Sequence, residues 1–188
     1  LKRQHQAIKQ EVFELFEQVY ANTAFSGGPF VEQFEKSFSN YTGVPYVVGV
    51  NNGTSALHLA MSVLGIGAGD EVILPANTFI ATAWGPSYVG ATPVFVDCDP
   101  HHWQIDPAAI EKAITPKTKA IVCVHYGGLP CDMTALQAIA DEHGLLVIED
   151  DPTVGQFVKR GLEEQRWTVD LVAADGGGLE ARLRLRAG

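Results

Sequence analysis

Apolar and polar positions change their period along the chain, and the changes mark out its elements. Ile8, Val12, Leu15, Phe16 and Val19 recur at helical spacing over residues 5–20. Val31, Phe34 and Phe38 resume that spacing after the Gly27-Gly28-Pro29 turn, so two amphipathic helices are expected before residue 46. From Tyr46 onward short apolar runs alternate with helical stretches. Strands are predicted near 46–50, 71–75, 93–97, 119–124 and 145–150, and helices near 54–65, 78–89, 107–114 and 132–143. Such alternation requires right-handed crossovers and a mostly parallel sheet covered on both faces, so the fold class is α/β.

Local signals sharpen the boundaries. Asp106-Pro107 reads as an N-cap followed by a proline in the first helical turn, Asp132 as the cap of the next helix, and Gly144 as its left-handed closing residue. After Asp151 the rhythm stops: Val158 to Gly188 carries Glu163-Glu164, Gly176-Gly177-Gly178 and arginines 182, 184 and 186, and weak order is expected there. The chain thus divides into an N-terminal helical arm (1–45), an α/β large-domain portion (46–151) and an atypical tail (152–188).

The polar punctuation falls just past the predicted strands. Gly53-Thr54-Ser55 follows the first, Thr78-Phe79 the second, His125 the fourth, and Asp150 closes the fifth. In an open parallel sheet these ends share one edge, the edge where ligands bind. Gly53 allows a tight turn and close approach, and Thr54 and Ser55 add hydroxyls to the free N–H groups of a helix start; the segment is either a phosphate cradle or an ordinary capped turn. Asp150 is either a solvated strand-end acid or a buried charge in need of a cationic partner. Phe79 is either a core aromatic or a stacking face for a planar ring. His125 reads as a hydrogen-bonded strand-end residue rather than a metal ligand, since no partner has suitable spacing, and His101-His102 as an exposed loop pair.

Composition narrows the partners. The 188 residues are 46% hydrophobic and 19% charged, enough for one substantial core. The net charge of -9 disfavours nucleic acid and anionic lipid and suits small polar ligands. No apolar run approaches the roughly 20 residues that span a bilayer, and the first residues do not lead into a secretory signal, so a cytoplasmic protein is expected. Cys98, Cys123 and Cys131 lack the short paired spacing of metal or redox sites and are expected to be reduced structural thiols; no metal is implied.

Several segments, taken in order, resemble one family. Phe30-Val31-Glu32-Gln33-Phe34-Glu35, Asn52-Gly53-Thr54-Ser55-Ala56-Leu57, Gly69-Asp70-Glu71-Val72-Ile73, Ala76-Asn77-Thr78-Phe79-Ile80-Ala81-Thr82, Gly90-Ala91-Thr92-Pro93-Val94-Phe95-Val96-Asp97 and Ile148-Glu149-Asp150 are similar to the DegT/DnrJ/EryC1/StrS family of fold-type-I enzymes dependent on pyridoxal 5'-phosphate (PLP). The resemblance runs from Leu1 to about Asp150. It implies the large domain of an aminotransferase acting on a nucleotide-linked keto-deoxysugar, with glutamate as the amino donor and a homodimer as the assembly. Gly53, Thr54 and Ser55 would hold the PLP phosphate, Phe79 would stack near the ring, and Asp150 would pair with the protonated ring nitrogen. The segment from Phe79 to Gly85 resembles members that aminate C3 of a thymidine-diphosphate sugar.

The chain also departs from the family. Asp151-Pro152-Thr153 replaces the small residues and glutamine that usually follow the aspartate; no lysine follows Lys159, which lies too close to Asp150 and lacks the family's serine- and threonine-rich context, so the lysine that carries PLP as a Schiff base is expected to be absent from this chain. The tail reads as a truncation or a foreign reading frame, and this chain alone is expected not to transaminate. Two alternatives stand beside the aminotransferase: a PLP-dependent sugar dehydratase of the same family, and a non-catalytic fragment or binding module that keeps the phosphate cradle.

Overall fold

The computed structural model describes residues 2–149, 168–174 and 178–183. Six strands form one sheet in the order β2-β1-β3-β4-β5-β6. They are β1 (Glu71–Pro75), β2 (Thr92–Val96), β3 (Thr118–Cys123), β4 (Leu146–Glu149), β5 (Thr168–Ala174) and β6 (Gly178–Leu183). β1 to β5 pair in parallel and β6 returns antiparallel to β5. The outermost strand on one side is β2. The structure thus has the α/β class that the alternation predicts.

Period-two alternation sorts the strand side chains between two cores. Val72, Leu74, Ala120, Val122 and Ile148 join Ala56, Leu57, Ala60 and Met61 of α3 (Gly53–Val63) and Ala83 of α4 (Ala81–Tyr88) on one face. Ile73, Ile121, Cys123 and Val147 join Ile110 of α5 (Pro107–Ala113) and Leu136, Ile139 and Ala140 of α6 (Met133–His143) on the other. With both faces covered, the central strands read as continuous apolar runs. Each large aliphatic chain withdrawn from water contributes about 1.5–3 kcal/mol.

The helix signals hold in detail. Asp106 Oδ1 accepts the Ala108 N–H at 2.9 Å with Pro107 in the first turn, and Asp132 Oδ1 accepts the Ala135 N–H at 3.0 Å. Gly144 closes α6 at φ 68°. α1 (Lys2–Ala21) and α2 (Pro29–Thr42) form as expected, but neither buries a residue completely, and Ile8, Val12, Phe13, Leu15, Phe16 and Tyr20 of α1 are exposed.

Three expectations are corrected. Residues 46–50 form no strand; Val48 alone occupies a bridge position, and the Gly49 N–H that could extend a ladder donates instead to Glu35 Oε1 of α2 at 2.8 Å. The helix expected from residue 78 starts at Ala81, because Thr82 and Ala83 bond back three residues to Phe79 and Ile80 in a turn that precedes the helix. The tail carries β5 and β6 rather than weak order throughout. Its sequence holds the reason: Thr168-Val169-Asp170-Leu171-Val172 is a β-prone run, Leu179 to Leu183 alternates apolar and charged residues, and glycines separate them.

Candidate active site

The chain order locates the edge at which open parallel sheets bind ligands. β1 leads through α4 to β2 on one side, and β2 crosses back through α5 to β3 on the other, so the crevice at the C-terminal ends of β1 and β3 is the switch point of the sheet. α3 runs antiparallel to β1, which brings its N-terminus to the same edge.

Asn52 prepares that N-terminus. Its backbone is extended, and its Oδ1 accepts the Ser55 N–H at 2.9 Å. The cap uses one helix-start amide and leaves those of Gly53 and Thr54, with the Thr54 and Ser55 hydroxyls, without a hydrogen-bond partner among the described residues. Gly53 is buried, and Thr54 and Ser55 are half-buried. The segment is therefore a capped turn that also leaves donors free at the helix start.

Close packing holds α4 beside this cradle. A Cβ on Gly85 would lie 3.0 Å from Leu57 Cβ, so glycine is what lets the two helices approach. At the start of α4 the Thr78 and Thr82 hydroxyls share a 2.8 Å hydrogen bond. Phe79 lies outside the core, 71% exposed, with its ring edge-on to Trp84 at 6.4 Å. That exposure removes the core-aromatic reading and leaves a ring face available at the ligand edge. The Nδ2 of Asn77, just past β1, is buried without a hydrogen-bond partner among the described residues. Asp150 lies outside the described residues.

On the α5–α6 side of the edge is a polar cluster that the sequence did not announce. His125 Nε2 is 2.8 Å from Glu149 Oε1, with both side chains 1% exposed. His125 Nδ1 accepts the Cys131 N–H at 3.0 Å. Gln104 donates Nε2–H to the carbonyls of Tyr126 and Leu129 at 3.1 and 2.7 Å, and its Oε1 accepts the Tyr126 N–H at 3.3 Å. His125 is thus the hydrogen-bonded strand-end residue expected. Gln104 and Glu149 were missed; the only available signal was a carboxylate closing an apolar strand.

Charge and geometry oppose each other in this cluster. Burial disfavours a charged His125, but Cys131 and Glu149 outweigh it and draw the pKa up to about 10. The Cys131 amide donates into Nδ1, however, and a backbone N–H cannot turn away to admit a second proton. Geometry decides for the neutral ring, with Nε2–H facing the Glu149 carboxylate. Contact with Cys123 likewise draws the Cys131 thiol down to about 5 against burial, helped by His125. Yet Cys131 Sγ faces two acceptors, Gln104 Oε1 at 3.1 Å and Val124 O at 3.3 Å, which suit a thiol and repel a thiolate. None of the three cysteines forms a disulfide among the described residues. Among the described residues no helix is long and apolar enough to cross a membrane.

The model of the DegT/DnrJ/EryC1/StrS aminotransferase family matches residues 6–154. A GDP-perosamine synthase of Caulobacter vibrioides is 53% identical over 125 residues, which cover 66% of this chain and 34% of the relative. The crystal structure of DesV from S. venezuelae superposes with a TM-score of 0.81 at 34% identity, covering 97% of this chain and 52% of DesV. NtdA from Bacillus subtilis, solved with its bound cofactor PMP (pyridoxamine phosphate), gives a TM-score of 0.78 at 33% identity, covering 92% of this chain and 40% of NtdA. The chain thus spans about a third of the curated relative's length and about half of DesV. Pyridoxal phosphate is the cofactor of the family. By sequence match and fold alike, the chain belongs to the DegT/DnrJ/EryC1/StrS aminotransferase family.

Proposed function

We propose that the chain is the cofactor-holding portion of a PLP-dependent aminotransferase that acts on a nucleotide-linked keto-deoxysugar, with glutamate as amino donor. The observation that carries this reading is the start of α3, where two amides and two hydroxyls without partners among the described residues lie at the switch point of the sheet. That donor set suits a phosphate, and the helix dipole adds to it. The GDP-perosamine synthase to which the chain is similar supports a nucleotide-linked sugar as substrate.

When bound, the cofactor supplies an electron sink for the bond broken at the donor's α-carbon. The residues of this chain bind and orient it. Gly53, Thr54 and Ser55 hold the phosphate, the exposed face of Phe79 flanks the ring, and Asp150 keeps the ring nitrogen protonated. The apolar side chains that α1 leaves exposed fit an assembly in which a second copy covers them. Light scattering tests that part: a stable monomer with α1 intact argues against it.

The site is tested with pyridoxamine phosphate, which needs no lysine linkage. Its fluorescence on titration should report binding to the chain, and Thr54→Ala and Ser55→Ala should each weaken it. Loss of a charge-assisted hydrogen bond at roughly 1.5–3 kcal/mol lowers affinity about tenfold or more. Equal affinity in both variants and the parent refutes the phosphate assignment.

A further inference from the structure

The cluster on the α5–α6 face sits where an apolar core would serve stability better. Gln104, His125, Cys131 and Glu149 are 6%, 5%, 5% and 1% exposed. Burying a carboxylate and an imidazole costs several kcal/mol before any contact is made, and replacing such groups with packed hydrocarbon is often neutral or stabilising. What a buried polar cluster pinned by the Gln104 and Cys131 hydrogen bonds supplies instead is fixed geometry.

Three segments meet in it, and all belong to the ligand edge. Gln104 comes from the loop after β2, His125 to Cys131 from the loop after β3, and Glu149 is the last residue of β4. The register Cys123↔Glu149 sets the ends of β3 and β4 side by side, and the His125–Glu149 contact joins them just beyond it. Gln104 and the Cys131 amide hold the loop so that the imidazole cannot rotate: one ring nitrogen takes the amide and the other faces the carboxylate. The opposite end of the sheet shows no comparable buried cluster among the described residues.

We infer that His125 and Glu149 are positioning residues for the cofactor: their contact fixes the height at which β3 and β4 end, and so the place from which the Tyr126–Leu129 turn addresses it. The inference rests on the reading of this edge as a pyridoxal phosphate site. Its signature is a loss of ligand affinity that exceeds any loss of fold stability, because a loosened edge must be re-ordered each time the ligand binds.

The test measures pyridoxamine phosphate affinity beside the urea unfolding midpoint of each variant. His125→Ala should bind about tenfold more weakly than the parent, while His125→Gln, whose side-chain N–H can still face Glu149, should recover to within about threefold. If His125→Ala does not fold, His125→Asn replaces it, keeping a polar amide but lacking the reach, with the same loss expected. Parent-like affinity in the short variant, or no recovery in His125→Gln, overturns the inference. So does an affinity loss matched by an equal loss of stability. The site assignment fails separately: then the parent binds no pyridoxamine phosphate, or Thr54→Ala and Ser55→Ala bind it as the parent does.

Discussion

Replacing Gly85 by alanine tests how tightly the cradle helix is held. The added Cβ meets Leu57 Cβ at 3.0 Å and the Leu57 backbone C and O at 3.5 and 3.6 Å. Ordinary carbon contacts lie at about 3.5–4.0 Å, so the helices must part by about 0.5 Å or more. Leu57 cannot give way by rotating, because the obstructing atom is its Cβ, fixed to the α3 backbone and buried at 3% exposure. Overpacking of this kind costs roughly 1–3 kcal/mol. Alanine offsets up to about 1 kcal/mol of that through its better helix propensity. The net expectation is a destabilisation of about 1–2 kcal/mol. In urea, with a slope of about 1–3 kcal/mol per molar, the unfolding midpoint followed by circular dichroism should fall by about 0.3–2 M with the slope unchanged. Gly85→Val should fall further. A midpoint equal to or above that of the parent refutes the close-packing argument, because it would mean that propensity outweighs contact.

Further outcomes follow from single contacts. Asn52→Ala removes the cap on Ser55 N–H and should cost about 1 kcal/mol in the same urea experiment, whereas Asn52→Asp should recover most of it. Cys131, a buried thiol between two acceptors, should alkylate far more slowly than the half-exposed Cys98 at neutral pH; peptide mapping that shows Cys131 labelled first would restore the thiolate. The Asp99 carboxyl accepts the amides of His102 and His101, which hold its pKa below the ordinary aspartate value, so its small stabilising effect is complete above that value and is lost as pH falls through the lowered one. Its side-chain carbon shift followed by NMR should titrate below an unstructured aspartate, and an ordinary midpoint counts against the turn.

The chain reveals its fold where side-chain period and capping agree. β1, β3 and α6 lie within a residue or two of their predicted spans, because continuous apolar runs, Asp132 and Gly144 act locally. Residues 46–50 look like β1 by the same criterion, yet Glu35, distant in sequence, takes the Gly49 amide, and no local pattern encodes that competition. At the site, Gly53, Thr54 and Ser55 were legible because a helix start needs turn and donor residues in sequence. Gln104 and Glu149 were not, since their partners lie on other segments and a buried polar residue resembles a surface one until the sheet assembles. Phe79 was legible in position and ambiguous in role; its exposure removes the core reading.

The place of β2 at the rim of the sheet has a consequence for the molecule's fate in a crowded solution. A bare strand edge is a template on which another chain can add, the first step toward fibrils. Thr92 donates its N–H inward to Asp70 O, so by alternation the nitrogen of the next residue faces outward. That residue is Pro93, which has no hydrogen to donate. An incoming strand therefore meets a gap in the row of donors near the start of β2, which disfavours growth from this rim.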